Sequence, residues 1–407
     1  MLKFYHIKYL SFFLFFIGLY FGGRYCINTL ALFVIISIIE LFKEGVRPIK
    51  EFPRLLWLPI GFYLIHIISS FYSTNQVEAQ FDLEVKSSFL ILPILFGLRK
   101  TETESRFFNV FRIFVHTTSI SMFILLGINI SRYFKDGVFL FYNDYSNMLH
   151  PSYLSMYLIF NILVIAFLFI NKKEKTIYLI PSIFISLTTL LIAESKAGQL
   201  TALILIIFIA FHIIPTKYKR LAIMASIVLV FIFGFIAKDS KRFHFFINAF
   251  EQYSNIKEHP ETVKESTALR ILAWTASFNI IKRNPIIGVG NGDIKDELSK
   301  VYVKRNYTKP LEMHMNAHNQ YLETFIGQGI IGLSILLIML FSPFIVFRKQ
   351  SILYQGFILI VVLNLLVESM FNTQAGVIFI LFFYSYLFSQ SKTIRPSVQV
   401  PQLINIK

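Results

Sequence analysis

Cysteine is nearly missing from this chain: Cys26 stands alone among 407 residues. An internal disulfide framework and a cysteine-rich metal site are therefore excluded. Tryptophan is almost as scarce, with 2 residues, and only 15% of the chain is charged. Acidic residues are outnumbered, 23 against 39 basic ones, which leaves a net charge of +16. There is no long internal repeat and no low-complexity tract. A cleavage motif is lacking too. The first apolar run, 9–23, is followed by Arg24, Tyr25 and Cys26 rather than by a small-x-small site, so it reads as a first membrane span and not as a signal peptide.

What the chain does have is apolar bulk. It is 55% hydrophobic, contains 46 Phe and has a mean hydropathy of +0.62. That composition predicts an all-α polytopic membrane protein, because lipid offers no partner for an open backbone. The apolar runs mark about twelve transmembrane helices, each near the length that crosses the hydrocarbon core. They lie at 9–23, 27–42, 55–72, 83–98, 107–129, 151–170, 176–193, 197–214, 221–237, 323–347, 352–370 and 374–390. The excess positive charge punctuates these runs and calls for no nucleic acid. Lys3 and Lys8, Lys43 to Arg54, Arg99 to Arg112, Lys172 to Lys175, Lys217 to Arg220, Arg348 and Lys349, and Lys392, Arg395 and Lys407 gather on one side. The opposite short segments and helix ends carry only Arg24, Lys86, Arg132, Lys135 and Lys196. The positive-inside rule then puts both termini in the cytoplasm. One long loop, 238–318, is left outside, and the membrane lipids are its neighbours. The chain divides into N-terminal membrane helices (1–192), a unit from 193 to 390 that includes the loop, and a cytoplasmic tail (391–407).

The loop has helices in it. "STALRILAWTASFNIIKRNP" opens at Ser266 and Thr267 and closes at Pro285, and Arg270, Trp274, Ser277 and Ile281 share one helical face. Trp with Arg suits a membrane interface. "GVGNGD", Gly288 to Asp293, reads as a tight turn.

Four features on the outer side carry chemistry. Lys196, in "ESKAG", sits at the outer boundary; its ordinary explanation is snorkelling or a surface pair with Glu194. Arg270 competes with a plain headgroup contact. His314 and His318 in "HMNAHNQYLE" are four apart, a spacing that would put both on one face of a helix. Only Glu312 and Glu323 are near enough in sequence to complete a metal site, so neither metal nor cofactor is expected. An imidazole is instead the default proton acceptor at neutral pH. Glu368, near the outer end of its span, is a functional candidate or a structural pair. The glycines of "GQGIIG" (Gly327, Gly329, Gly332) read as close helix packing. His150 in "HPSYLSMY" and Asn143 in "NDYSN" face the same side. Two cations and a base suit an anionic, lipid-anchored substrate such as a polyprenyl-pyrophosphate sugar. The cations would stabilise the leaving pyrophosphate, the His would take a hydroxyl proton, and a Glu or Asn319 would orient the His. Composition alone does not prefer this to a secondary transporter, although transporters place polar residues at the midplane of repeated halves.

"ESKAGQLTALILII", "ALRILAWTASFNIIKRNPIIGVGNGD", "AHNQYLETFIGQGIIGLSIL" and "LVESMFNTQAGVIFILFF" occur in that order. Together they resemble the O-antigen ligase and polymerase superfamily over about half the chain. The resemblance implies a GT-C-type enzyme of the bacterial inner membrane, acting on its periplasmic side without a metal. It implies transfer of a glycan from undecaprenyl pyrophosphate to an acceptor hydroxyl. In ligases that acceptor is the lipid A-core sugar, and in polymerases another lipid-linked repeat unit. On this resemblance Arg270 and His318 are catalytic, and Lys196, Asn319, His314, Glu323 and Glu368 are substrate-binding. Lys196 stands where the family has an arginine; it keeps the charge and loses the bidentate fork.

Overall fold

The computed structural model describes residues 2–146, 149–214, 218, 260, 263, 266–346 and 352–391. The expected span at 221–237, most of the loop's first part at 238–265 and nearly all of the tail at 391–407 lie outside the described residues. The described chain is helical, without strands: α1 (Leu2–Phe21), α2 (Gly23–Glu44), α3 (Trp57–Phe71), α4 (Gln76–Lys86), α5 (Ser88–Leu98), α6 (Glu104–Asp136), α7 (Asn143–Ser146), α8 (Pro151–Ile170), α9 (Thr176–Ile192) and α10 (Lys196–Ile213). After the undescribed stretch come α11 (Ser266–Ile281), α12 (Ile294–Lys304), α13 (Thr308–Glu312), α14 (Gln320–Val346), α15 (Ile352–Val367) and α16 (Gln374–Ser389). Every span expected in the described residues, except that at 83–98, falls on an apolar helix. The expected span at 83–98 is broken by a step at Ser87, between α4 and α5. Among the described residues seven helices are long and apolar enough to cross a membrane, and α9, α15 and α16 are shorter apolar ones. The protein is a multi-pass membrane protein.

The last helix is the axis of the bundle. Every residue of α16 from Gly376 to Ser389 is buried. Phe16 stacks on its Phe383 at 5.8 Å, Tyr157 on its Phe379 at 4.1 Å and Phe107 on its Tyr386 at 5.6 Å. This is where the phenylalanines are used. Between membrane helices the hydrophobic effect gives little, because lipid is as apolar as a side chain, so association rests on packing. Offset and edge-on ring pairs add about 0.5–1.5 kcal/mol each beyond area.

A second, smaller core lies under the loop. Leu269, Leu272, Ala273, Ala276 and Ile280 of α11 pack with Leu298, Val301 and Tyr302 of α12 and with Ile326 of α14. The helical face expected to hold Arg270, Trp274, Ser277 and Ile281 is split: Arg270 and Trp274 are half-buried, Ser277 and Ile281 buried in this core. The "GVGNGD" turn fastens it to the bundle. Both carboxylate oxygens of Asp293 accept from the backbone N–H groups of Thr74 and Asn75, at 2.7 Å each. Asn291 Nδ2 donates to Asp82 at 3.0 Å.

The expectation that "GQGIIG" serves close helix packing holds at Gly327, where a side chain would come within 2.8 Å of Ile294 on α12, and is corrected at Gly329. Gly329 has φ 61 and breaks α14 into two helical stretches. A side chain there would strike the Ile286 carbonyl, and the left-handed backbone disfavours one anyway. The kink opens the α14 backbone to the loop. Val289 N–H donates to the Ile326 carbonyl, Gly290 N–H to the Gly327 carbonyl and Ile330 N–H to the Pro285 carbonyl, each at 2.9 Å. Loop and span are thus joined backbone to backbone. Only Gly332, which faces Gln328 and Thr324 of its own helix, lacks this role.

Candidate functional site

Short connections join α8 to α9, α9 to α10 and α15 to α16, Asn319 before α14 bonds Leu366 near the end of α15, and Tyr157 of α8 bonds Ala375 of α16, so α8, α10, α14 and α16 begin, and α9 and α15 end, at one end of the bundle. The polar motifs meet there. His318 lies in the turn before α14, with φ 43, a conformation that costs a non-glycine residue roughly 1–3 kcal/mol. The cost is met by hydrogen bonds on every side. His318 N–H donates to Asn316 Oδ1 at 2.8 Å. Asn319 caps α14 by accepting from Leu322 N–H at 3.1 Å, and its amide donates to the Leu366 carbonyl at 2.9 Å. Gln320 accepts from Phe371 N–H at 2.7 Å.

Glu323 completes the clamp. It is buried, and its two oxygens accept from Ala317 N–H at 2.9 Å and from Asn372 Nδ2 at 2.8 Å. The carboxylate therefore ties the His318 turn to the segment leading into α16. Both of its oxygens accept from the protein's own groups. Asn319 likewise places its amide on the α14 cap and on Leu366.

Glu368, directly after α15, faces the imidazole. Its Oε1 stands 3.0 Å from His318 Nδ1 and its Oε2 stands 3.8 Å from Arg270 Nη2. The imidazole contact has the length of a hydrogen bond while the ring is turned off its line. Such alignment commonly tightens when a ligand binds. The Glu368 side chain is 8% exposed against 26% for His318 and 27% for Arg270. His318 and Arg270 flank this buried carboxylate, and the charge of His150 reaches it as well. Arg270 Nε and Glu368 Oε2 are buried without a hydrogen-bond partner.

His150 belongs to the same group. Its Nδ1 accepts from Ser152 N–H at 3.3 Å, which caps α8 and leaves Nε2 to carry the proton. Burial of the ring pushes its pKa down, and the charges of Glu368, His318 and Arg270 all act on it. The sequence reading put His150 at an entrance without linking it to His318. The signal was a His directly before the Pro that opens a helix.

Lys196 is the first residue of α10 and is exposed at this end. The next turn sits tightly on α8, where Gly198 meets Ser155. His314 is not part of the group. It lies in an exposed turn after α13 with φ 46, so it does not share a helical face with His318 and the metal-holding spacing is lost. Asn143 begins the short helix α7.

Residues 181–337 match the family described as O-antigen ligase. The matched stretch contains Lys196, Arg270 and His318, while Glu368 and His150 lie outside it. A curated relative, an uncharacterized protein of Haemophilus influenzae, is 25% identical over 196 residues. The alignment covers 47% of this chain and 48% of the relative, so the chain spans about half the length of the curated relative it matches.

Proposed function

We propose that this membrane protein, whose residues 181–337 match the O-antigen ligase family, transfers a glycan from a polyprenyl pyrophosphate, undecaprenyl pyrophosphate in bacteria, to an acceptor sugar hydroxyl at the periplasmic face of the inner membrane. The observation that carries the reading is the Glu368 carboxylate set between His318 and Arg270. With a proton on Nδ1 facing Glu368, His318 presents the lone pair of Nε2. That nitrogen takes the proton of the acceptor hydroxyl as its oxygen attacks the anomeric carbon. The bond from that carbon to the pyrophosphate oxygen breaks, and the pyrophosphate leaves as an anion. Arg270, and Lys196 at the mouth, hold that charge as it develops. Glu368 orients the imidazole and stabilises its charged form, and Glu323 keeps the His318 turn in place.

The same donor chemistry serves a ligase acting on lipid A-core and a repeat-unit polymerase. One experiment separates them from each other and from a transporter. A deletion strain is complemented with wild-type or His318→Ala protein, insertion is checked in membranes, and surface glycolipids are run on a gel. Loss of capped lipid A-core with accumulation of long carrier-linked chains identifies a ligase; single repeats without a ladder identify a polymerase. A normal glycan pattern from His318→Ala overturns the role of His318. An unchanged pattern from the deletion itself overturns the glycan reading and favours transport.

A further inference from the structure

The C-terminal end of α11 and the turn after it carry a surface that the transfer reading does not use. Residues 282–287, "KRNPII", are exposed without a break. Ile286 is 64% exposed, Ile287 53%, and Phe278, one helical turn before Lys282, 52%. Among the described residues nothing covers these three large apolar side chains, which stand beside two cations. Among the described residues neither Lys282 nor Arg283 has a side-chain partner. The height of this knuckle is fixed by the spans. Ile330 N–H holds the Pro285 carbonyl and Tyr72 Oη donates to the Ile287 carbonyl at 2.6 Å. Tyr72 ends α3, and Gly329 is where α14 changes character. The stretch before the kink is polar, "QYLETFIGQG"; after it the helix runs "IIGLSILLIMLF" with Ile330 and Ile331 facing outward. The apolar tip therefore lies level with the start of lipid contact on α14, and the two cations lie beside it.

We propose that Phe278, Ile286 and Ile287 dip into the membrane interface, and that Lys282 and Arg283 hold the phosphate groups of anionic phospholipids there. Burying apolar tips in the acyl boundary and matching cations to anionic headgroups are the two attractions that fix an interfacial element. Charge complementarity selects the occupant: a second copy of this chain would bring the same two cations against each other. The surface would set the height of the loop, and so of Arg270, over the membrane. This inference rests on the membrane fold alone and stands whether or not the transfer reading does.

The test uses the full-length protein in nanodiscs of phosphatidylcholine, with and without phosphatidylglycerol. An environment-sensitive dye is attached at Ile286→Cys, and separately at Phe278→Cys as a check on the first site; the native Cys26 is buried. The expected result is hydrocarbon-like emission, quenching by lipids brominated high on the acyl chain, and energy transfer to labelled phosphatidylglycerol. Lys282→Gln with Arg283→Gln should lower the local enrichment of phosphatidylglycerol by roughly five-fold for each cation removed. Water-like emission at both sites overturns the proposal. Shielded emission that lipid bromines do not quench overturns it in favour of a protein contact. Enrichment unchanged by the double substitution overturns the assignment of the cations to anionic headgroups.

Discussion

The two ends of the bundle each hold a cluster of charges, and they differ in what is left over. At the end opposite the candidate site, Lys8 contacts Glu40 at 2.5 Å and Glu102 at 2.7 Å, and Arg99 bridges the same two carboxylates. Tyr386 Oη donates to Glu102 at 2.9 Å, and Gln390 accepts from the Glu102 N–H. All four charged side chains are 4–6% exposed. Two positive and two negative groups neutralise one another out of reach of solute, although Arg99 Nη1 is left without a hydrogen-bond partner. At the site end a buried carboxylate faces the partly exposed side chains of His318 and Arg270, and Arg270 Nε and Glu368 Oε2, which lie at the edge of an open group, have no hydrogen-bond partner. The residue types are alike. Closure makes one cluster a clasp between α1, α2 and α16. Openness leaves the other able to bind and to move a proton.

The comparison can be broken from either side. The largest effect should come from His318→Ala, which should slow glycan transfer from a lipid-linked donor by about 10²–10⁴-fold while moving thermal unfolding in detergent little. Glu102→Gln should do the reverse. It leaves Lys8 and Arg99 short of a buried partner, so unfolding should become easier by about 3–5 kcal/mol, with the folded fraction still active. Arg270→Lys keeps a charge and loses the fork, so transfer should fall on the order of ten-fold, less than for Arg270→Ala.

A pH scan of unfolding sharpens the contrast. Burial would raise the Glu102 carboxyl, but Lys8 and Arg99 outweigh it and hold it below its usual value of 4.5. A carboxyl depressed in the folded state stabilises the protein above the unfolded value and loses that contribution as pH falls through the folded one. Wild-type protein should therefore lose stability below about pH 4.5, and Glu102→Gln should show a shallower slope there. The smallest effect is expected from Lys196→Arg, which restores a fork at an exposed position. Transfer should rise by no more than about five-fold, measured at limiting donor.

The sequence announced the spans because apolar runs bounded by Lys and Arg are a one-dimensional signal. It also named His318, Arg270 and Glu368, each at the mouth of a run or on the loop helix. It did not pair them, because residues 270, 318 and 368 meet only through the packing of α11, α14 and α15. What Glu323 and Asn319 hold was hidden for the same reason. Their partners, Ala317, Asn372 and Leu366, are backbone and amide groups that carry no sequence signature. The kink at Gly329 was hidden by its apolar setting, where a glycine inside a span ordinarily signals helix packing. His314 misled through spacing, since a four-residue interval means a shared face only on a helix.

The central claim is that Glu368 acts through His318. A double-mutant cycle on transfer rate tests it, using His318→Ala, Glu368→Gln and both together in folded, membrane-inserted protein. The account predicts that the double variant is no slower than His318→Ala alone, because Glu368 has nothing left to orient. Losses that multiply independently would contradict it.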